Sequence, residues 1–291
     1  VLATPALVKP PPASAVIRGS SFYTLVNGPS WIQAEANAVL LGGHLVAITS
    51  ASENTFLVSS FKYADPAPGS NGYTRNSTYP LHWIGLTDKD LEGTWVWASG
   101  ELLTFTNWID GMTPDNHTWF SSEGADYAAI DYYQATGTDT VDNGSWWNWS
   151  EGERSLGVAE DMTKGIAEIP IAFSASQSSP PIEGSGLFTT SLFFSAGIGS
   201  NLVNGETIYW GLDGISSDDL SSGTMTGFGV VTNGRLDIIH SLFDDGVDEI
   251  ENFIVTAYSD PILRTSEYQI GSYSAPVRPA NSSTASVPGP L

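Results

Sequence analysis

The sequence predicts an α+β domain followed by an all-β sandwich, and three observations carry that prediction. The stretch LHWIGLTDKDLEGTWVWASGELLTFTNW, residues 81–108, alternates bulky aromatics with small or polar residues and gathers Trp83, Trp95, Trp97 and Trp108 into one short span. Period-2 alternation of this kind marks strands with one face in a core. Ahead of it stand two helical segments, each opened by its own capping pair. After Pro170 come six strand-like runs at close, even spacing with Gly, Asn and Asp turns between them, which is an all-β pattern.

At 291 residues the chain is long for one hydrophobic core, so two domains are expected. Its 32 acidic and 10 basic residues give a net charge of −22. That balance argues against nucleic acid and anionic membrane surfaces as partners, because both require a basic footprint. It suits hard cations such as calcium. The absence of cysteine excludes disulfides, thiol catalysis and zinc–thiolate sites. Charged residues make up only 14%, and the uncharged polar remainder points to an extracellular or cell-surface setting. No apolar run is long enough to span a bilayer, so no membrane insertion is expected.

Residues 1–17, VLATPALVKPPPASAVI, are apolar with Lys9 as the single charge and are broken by Pro5, Pro10, Pro11 and Pro12. Proline fixes φ and removes donors, so no helix is expected here. The expectation is an extended arm whose Leu2, Leu7, Val8, Val16 and Ile17 seek a groove or sheet edge, at home or on a second copy. From Ser20, SFYTLV reads as a strand. Ser30 and Gln33 cap the helix WIQAEANAVLLGG, which Gly42 and Gly43 close. HLVAI is a strand, and Ser50 with Glu53 opens the second helix, SENTFLVSSF. Residues 64–79 read as a surface loop, and 111–142 as a longer loop region interrupted by the strand ADYAAIDYY. GIAEIP is a strand expected to return beside the first.

This order, with WIGL, then EGTWVW, a Gly turn and FTNW, resembles the C-type lectin-like domain over residues 18–170. Beyond it run IAFSAS, LFTTSLFFS, ETIYWGL, GTMTGFGVV, GRLDIIHSLF and ENFIVTAYS. Here Ile182-Glu183-Gly184-Ser185-Gly186, then SSDDLSSG, then the Asp-Asp turn and Glu-rich entry of HSLFDDGVDEIENFIVTAYS look like the Calx-β domain over 171–277. That resemblance implies an immunoglobulin-like sandwich. Residues 278–291 read as a flexible tail. Its end, Val287-Pro288-Gly289-Pro290-Leu291, is similar to the start of the PEP-CTERM sorting signal of exopolysaccharide-producing bacteria, so a chain trimmed during export is expected.

The lectin resemblance implies a calcium-dependent sugar site. Sugar-binding members set a carboxylate or amide, a proline and a second amide just after the NW, and a Trp-Asn-Asp triplet later. The first motif here is Thr113-Pro114-Asp115-Asn116, with a hydroxyl in the leading ligand position. The second is Trp147-Asn148-Trp149, with an indole replacing the aspartate. Two ligands of the set are therefore degraded, and the family's two cystine bridges are missing as well. Trp119, Trp146, Trp147 and Trp149, with Phe120, Tyr132 and Tyr133, offer a different route, since flat aromatic faces stack on pyranose rings. The same rings otherwise fill the loop core in place of the cystines.

The Calx-β resemblance implies that Glu183, Asp219, Asp244 and Asp245 gather at one end of the sandwich to hold calcium, with Asp218 and Glu249 in the same acidic set. Clustered carboxylates repel one another unless a cation neutralises them; the other reading is solvated turn acids. Sequons at Asn76, Asn116, Asn143, Asn148 and Asn281 are candidate N-glycosylation sites. His44, His82, His117 and His240 lack metal-ligand spacing, and no nucleophile elbow, phosphate loop or dinucleotide fingerprint is present. The chain is expected to be non-catalytic. The primary expectation is a self-assembling subunit of an extracellular filament, its partners copies of itself joined by the arm. The alternative is an adhesin that grips extracellular polysaccharide.

Overall fold

The computed structural model describes residues 15–61, 81–109, 124–131, 144–150, 164–199, 201–244, 251–262 and 264–280. Tyr23–Ile169 form one unit, and Ile17–Phe22 join Pro170 onward in a second.

The first unit is built on one mixed sheet and two helices. Its elements are β1 (Ala15–Arg18), β2 (Ser21–Asn27), α1 (Trp31–Leu41), β3 (His44–Leu45), α2 (Ala51–Phe61), β4 (Leu81–Thr87), β5 (Val96–Trp97), β6 (Tyr127–Asp131), β7 (Trp146–Trp149) and β8 (Lys164–Pro170). The strand order is β1-β2-β8-β4-β6-β7, with β3 on β8 and β5 on β4. The returning strand β8 thus lies beside β2, as the sequence suggested, and meets β4 in parallel at Trp83 and Gly165.

Each helix is fixed by its cap and by one polar contact to the sheet. In α1, Ser30 Oγ accepts from Gln33 N, and Gly42 closes the last turn in the left-handed region at φ 95°. Buried Ala34 and Ala38 let the helix approach closely, and Trp31 Nε1 donates to Ile84 O at 2.7 Å. In α2, Glu53 N donates to Ser50 Oγ at 3.2 Å. The Glu53 carboxylate turns to Thr49 instead of Ser50, taking Thr49 N at 2.8 Å, and it accepts from Tyr23 Oη on β2 at 2.9 Å. One residue therefore caps the helix and ties it to the sheet. The core between α2 and the sheet holds Tyr23, Ile48, Leu57, Ile84, Leu86, Trp97, Ile130, Trp146 and Ile166.

Two expected strands are shorter than their sequences suggest. HLVAI is a strand only at His44–Leu45, after which Val46 N bonds Ile166 O and Gly85 N bonds Val46 O across irregular backbone. TWVWA keeps only Val96–Trp97. The arm needs a correction as well. Val16 and Ile17 are not part of a free extension: they lie in β1, paired with β2 of the same chain, and Val16 packs on the first unit's core. The signal was Gly19, whose φ of 55° makes the turn into β2. Leu2, Leu7 and Val8 lie outside the described residues.

The second unit contains β9 (Ala172–Gln177), β10 (Leu187–Ser195), β11 (Thr207–Asp213), β12 (Thr226–Val230), β13 (Arg235–Ser241), β14 (Asn252–Tyr258) and β15 (Gln269–Pro276). They form a three-stranded sheet, β13-β10-β9, and a four-stranded sheet, β12-β11-β14-β15. The sheets pack face to face. Phe188 meets Phe253 with centroids 5.3 Å apart, and Phe173 packs on Gly271. At the β12 edge the inner positions are Gly227 and Gly229, because the Trp210 ring and Leu236 occupy the space a Cβ would need. All six strand-like runs appear as strands, and β15 is a seventh that the sequence hid behind its Ser and Gly content.

Ile17–Phe22 is tied into this second unit. Arg18 is buried, pairs with Glu267 at 3.0 Å and lies over the Tyr268 ring. Gly19 N donates to Ser259 Oγ and Ile171 N to Ser20 O. We therefore expect a fragment beginning at Pro170 to unfold at lower denaturant than the same unit in the whole chain. Arg18→Ala should cost the unit about 1–2 kcal/mol. Urea titration of both proteins, followed by Trp210 fluorescence, checks this.

His240 is buried against Phe188, Trp210 and Phe253, with centroids 5.4, 6.0 and 4.8 Å away. Burial lowers its pKa to about 4, and burial with nearby Lys164 lowers that of His82 in the first unit to about 3. The unfolded chain takes up these protons near pH 6.5 and the folded chain does not, so acid favours unfolding in between. Stability is full above about pH 6.5 and falls as pH drops towards 4, by up to about 1.4 kcal/mol per pH unit for each histidine. His240→Leu should flatten that slope for the second unit alone, as read by urea midpoints at pH 7 and pH 5.

Candidate functional site

The candidate site is built on β7, the last strand in the order of the first sheet. Side chains alternate across a strand, and here Trp146 and Asn148 are buried while Trp147 and Trp149 are half-exposed on the other face. Pairing with β6 sets Ala129 opposite Trp147 and Tyr127 opposite Trp149. The two outward indoles stand with centroids 6.5 Å apart and planes 31° from parallel. The planes are tilted and both indole nitrogens are buried, so what the pair presents outward is apolar ring surface, of the kind that meets the C–H face of a pyranose.

What fixes this strand lies on its inner face. The Trp146 ring is completely buried and is met edge-on by Trp97 at 5.6 Å, Phe105 at 5.6 Å and Trp108 at 5.9 Å. Its indole Nε1 donates to Asn54 Oδ1 at 2.8 Å. Asn54 Nδ2 in turn donates to Gly144 O at 3.1 Å, which also accepts from Asn107 Nδ2 at 2.8 Å. Gly144 has φ 96°, and a Cβ there would stand 2.6 Å from Asn54 Nδ2. Asn54 thus anchors both the entry to β7 and its first ring. Sequence reasoning passed over it, although a buried-face Asn inside a helix is a signal, since Asn is a poor helix former unless its amide is used.

The remaining sequence-predicted residues divide as follows. Thr113, Asp115, Asn116 and Trp119 lie outside the described residues, as do the sequons at Asn76, Asn143 and Asn281. Asn148 is only 4% exposed, so in the folded domain its amide is out of reach of a glycosyl donor, which corrects that sequon. Of the acidic set, Asp245 and Glu249 are outside the described residues. Glu183, Asp219 and Asp244 lie on neighbouring stretches of backbone in the second unit. Gly184 N donates to Leu242 O and Phe243 N to Asp219 O, while Gly184 sits against Asp244. The Asp219 carboxylate is committed locally, taking Ser216 N in a capping box, and Asp218 is exposed beside it. Among the described residues no three Asp, Glu or His side chains stand close enough to hold a metal ion.

Residues 28–150 match the family model described as the Lectin C-type domain, and this part of the chain is a C-type lectin domain. It is 37% identical over 75 residues to the alpha-N-acetylgalactosamine-specific lectin of Patiria pectinifera, covering 26% of this chain and 38% of that one. It is 30% identical over 126 residues to the hepatic lectin of Gallus gallus, covering 40% of this chain and 53% of the relative. The chain therefore spans about half or less of the length of these relatives. Among solved structures, the human scavenger receptor C-type lectin carbohydrate-recognition domain is 23% identical, covering 55% of this chain and 98% of that one, at a TM-score of 0.38.

Replacing Asn54 by Leu should leave the Trp146 N–H without an acceptor inside the core. The expected loss is about 2–3 kcal/mol of first-unit stability, with the second unit unchanged, measured by urea unfolding with tryptophan fluorescence.

Proposed function

We propose that the protein is a non-catalytic, extracellular carbohydrate-binding protein whose lectin domain engages polysaccharide through the Trp147–Trp149 ring pair. The observation that carries this reading is the ring pair itself: two partly exposed indoles at i and i+2 on the same face of β7, with centroids 6.5 Å apart, on a C-type lectin domain. Lectins head the relatives of this domain, one of them named for alpha-N-acetylgalactosamine. The degraded ligand set favours stacking over calcium as the means of recognition, since Trp149 occupies the position where the family motif has an aspartate and Thr113 stands in the leading ligand position.

The same reading takes the second unit as a Calx-β-like sandwich. Assembly into a filament through the arm is the weaker reading, because Val16 and Ile17 are already paired within their own chain.

A glycan array probed with the whole chain, with calcium and with EDTA, tests the proposal. Binding should be present in both conditions. Trp147→Ala and Trp149→Ala should each weaken it by about tenfold, roughly 1.4 kcal/mol. A blank array, or undiminished binding by both variants, would remove the reading.

A further inference from the structure

The outer face of the four-stranded sheet carries a row of aromatic rings that the lectin domain does not account for. The register sets Phe228 on β12, Tyr209 on β11 and Tyr258 on β14 side by side. Gly227, Trp210 and Ala257 take the alternate positions facing the core, so the three rings share the outer face, where Phe228 is exposed, Tyr209 half-buried and Tyr258 buried. Across two strand spacings the row is about 10 Å long. Phe228 is 72% exposed, and its ring centroid lies 6.2 Å from that of Tyr209.

Arg264 closes the row. Its Cζ lies 5.6 Å from the Tyr258 ring centroid, and its guanidinium rests over Gly211, where a Cβ would stand 2.6 Å from Nη1. Among the described residues Arg264 has neither an ion-pair partner nor a hydrogen bond. Arg18 and Arg235 each hold a carboxylate, at 3.0 and 2.6 Å. With 32 acids available to 10 bases, a half-buried guanidinium without one stands out. Its planar fork of five N–H donors fits a carboxylate in two parallel hydrogen bonds.

We propose that this face is a second carbohydrate platform that takes a hexuronate-bearing polysaccharide. A pyranose ring stacks on Phe228 with the Tyr209 ring, inclined at 49°, against its edge, and its carboxylate is held by Arg264 at the end of the row. Exposed Thr207 and Thr226 flank the rings with hydroxyl donors and acceptors. The negative charge of the rest of the chain does not bar an acidic ligand, since at physiological salt its field decays over about 8 Å. This site is independent of the Trp147–Trp149 pair.

The test is isothermal titration of the whole chain with oligogalacturonate, with a neutral glucan oligomer of equal length as comparison. Saturable binding of the uronate is expected, with the glucan at least about tenfold weaker. Arg264→Gln and Phe228→Ala should each weaken uronate binding by about tenfold or more. Arg264→Lys should fall between, keeping the charge without the fork. Trp147→Ala should leave uronate binding unchanged, which separates this site from the lectin domain's. Phe228 is exposed enough that its variant will fold, and unchanged unfolding midpoints confirm it. No saturable binding, equal binding of the neutral oligomer, or undiminished binding by both variants overturns the proposal. So does concentration-dependent self-association in sedimentation that Arg264→Gln abolishes, which would make the face a contact between copies.

Discussion

The lectin domain depends on where one indole is held. Trp146 sits at the centre of Trp97, Phe105 and Trp108, all three edge-on to it, and its N–H is spent on Asn54. An edge-to-face aromatic pair contributes about 0.5–1.5 kcal/mol beyond the area it buries, so three such pairs rival the few kcal/mol of a disulfide. In a chain without cysteine this cluster does what a covalent link does elsewhere: it fixes β7 to the core of its unit. Because strand side chains alternate, fixing Trp146 inward also decides that Trp147 and Trp149 face outward. The packing of the core and the shape of the candidate binding face are one event.

The second unit solves its packing differently. At the β12 edge it removes side chains: Gly227 and Gly229 leave room for Trp210 and Leu236 to close the gap between sheets. The same strand carries Phe228 and Val230 outward. Glycine weakens a strand interior by giving nothing to pack, yet here the neighbouring Trp210 ring supplies the buried surface. The sheet edge therefore has an empty inner face and an apolar outer one, which inverts the usual burial pattern of an antiparallel edge.

The sequence made the broad architecture legible because its signals were local. Ser30, Ser50, Glu53 and Gly42 mark helix ends by hydrogen-bonding chemistry that acts within four residues. The six runs after Pro170 announced themselves by alternation. What stayed hidden depended on distant partners. β15 alternates Ile270, Tyr273 and Ala275 with Ser and Gly, too weak a pattern to read without the strand it pairs with. β1 was masked by the prolines before it. The site was half legible: the WNW triplet was visible, but only alternation about a fixed Trp146 tells which two of its residues look outward. Arg264 carried no sequence signal, because a missing partner is a property of the fold.

Arg18 and Glu267 are 249 positions apart. On a ribosome, where domains form roughly in order of synthesis, the segment at 17–22 emerges long before its counterpart. The second unit cannot be finished by its own contiguous stretch of polypeptide; it waits for a piece made a whole lectin domain earlier. Closing so wide a loop is entropically steep at the outset and hardly steeper for added length. Insertions in the loops of the lectin domain are therefore nearly free as far as that closure is concerned, and evolution is at liberty to vary them.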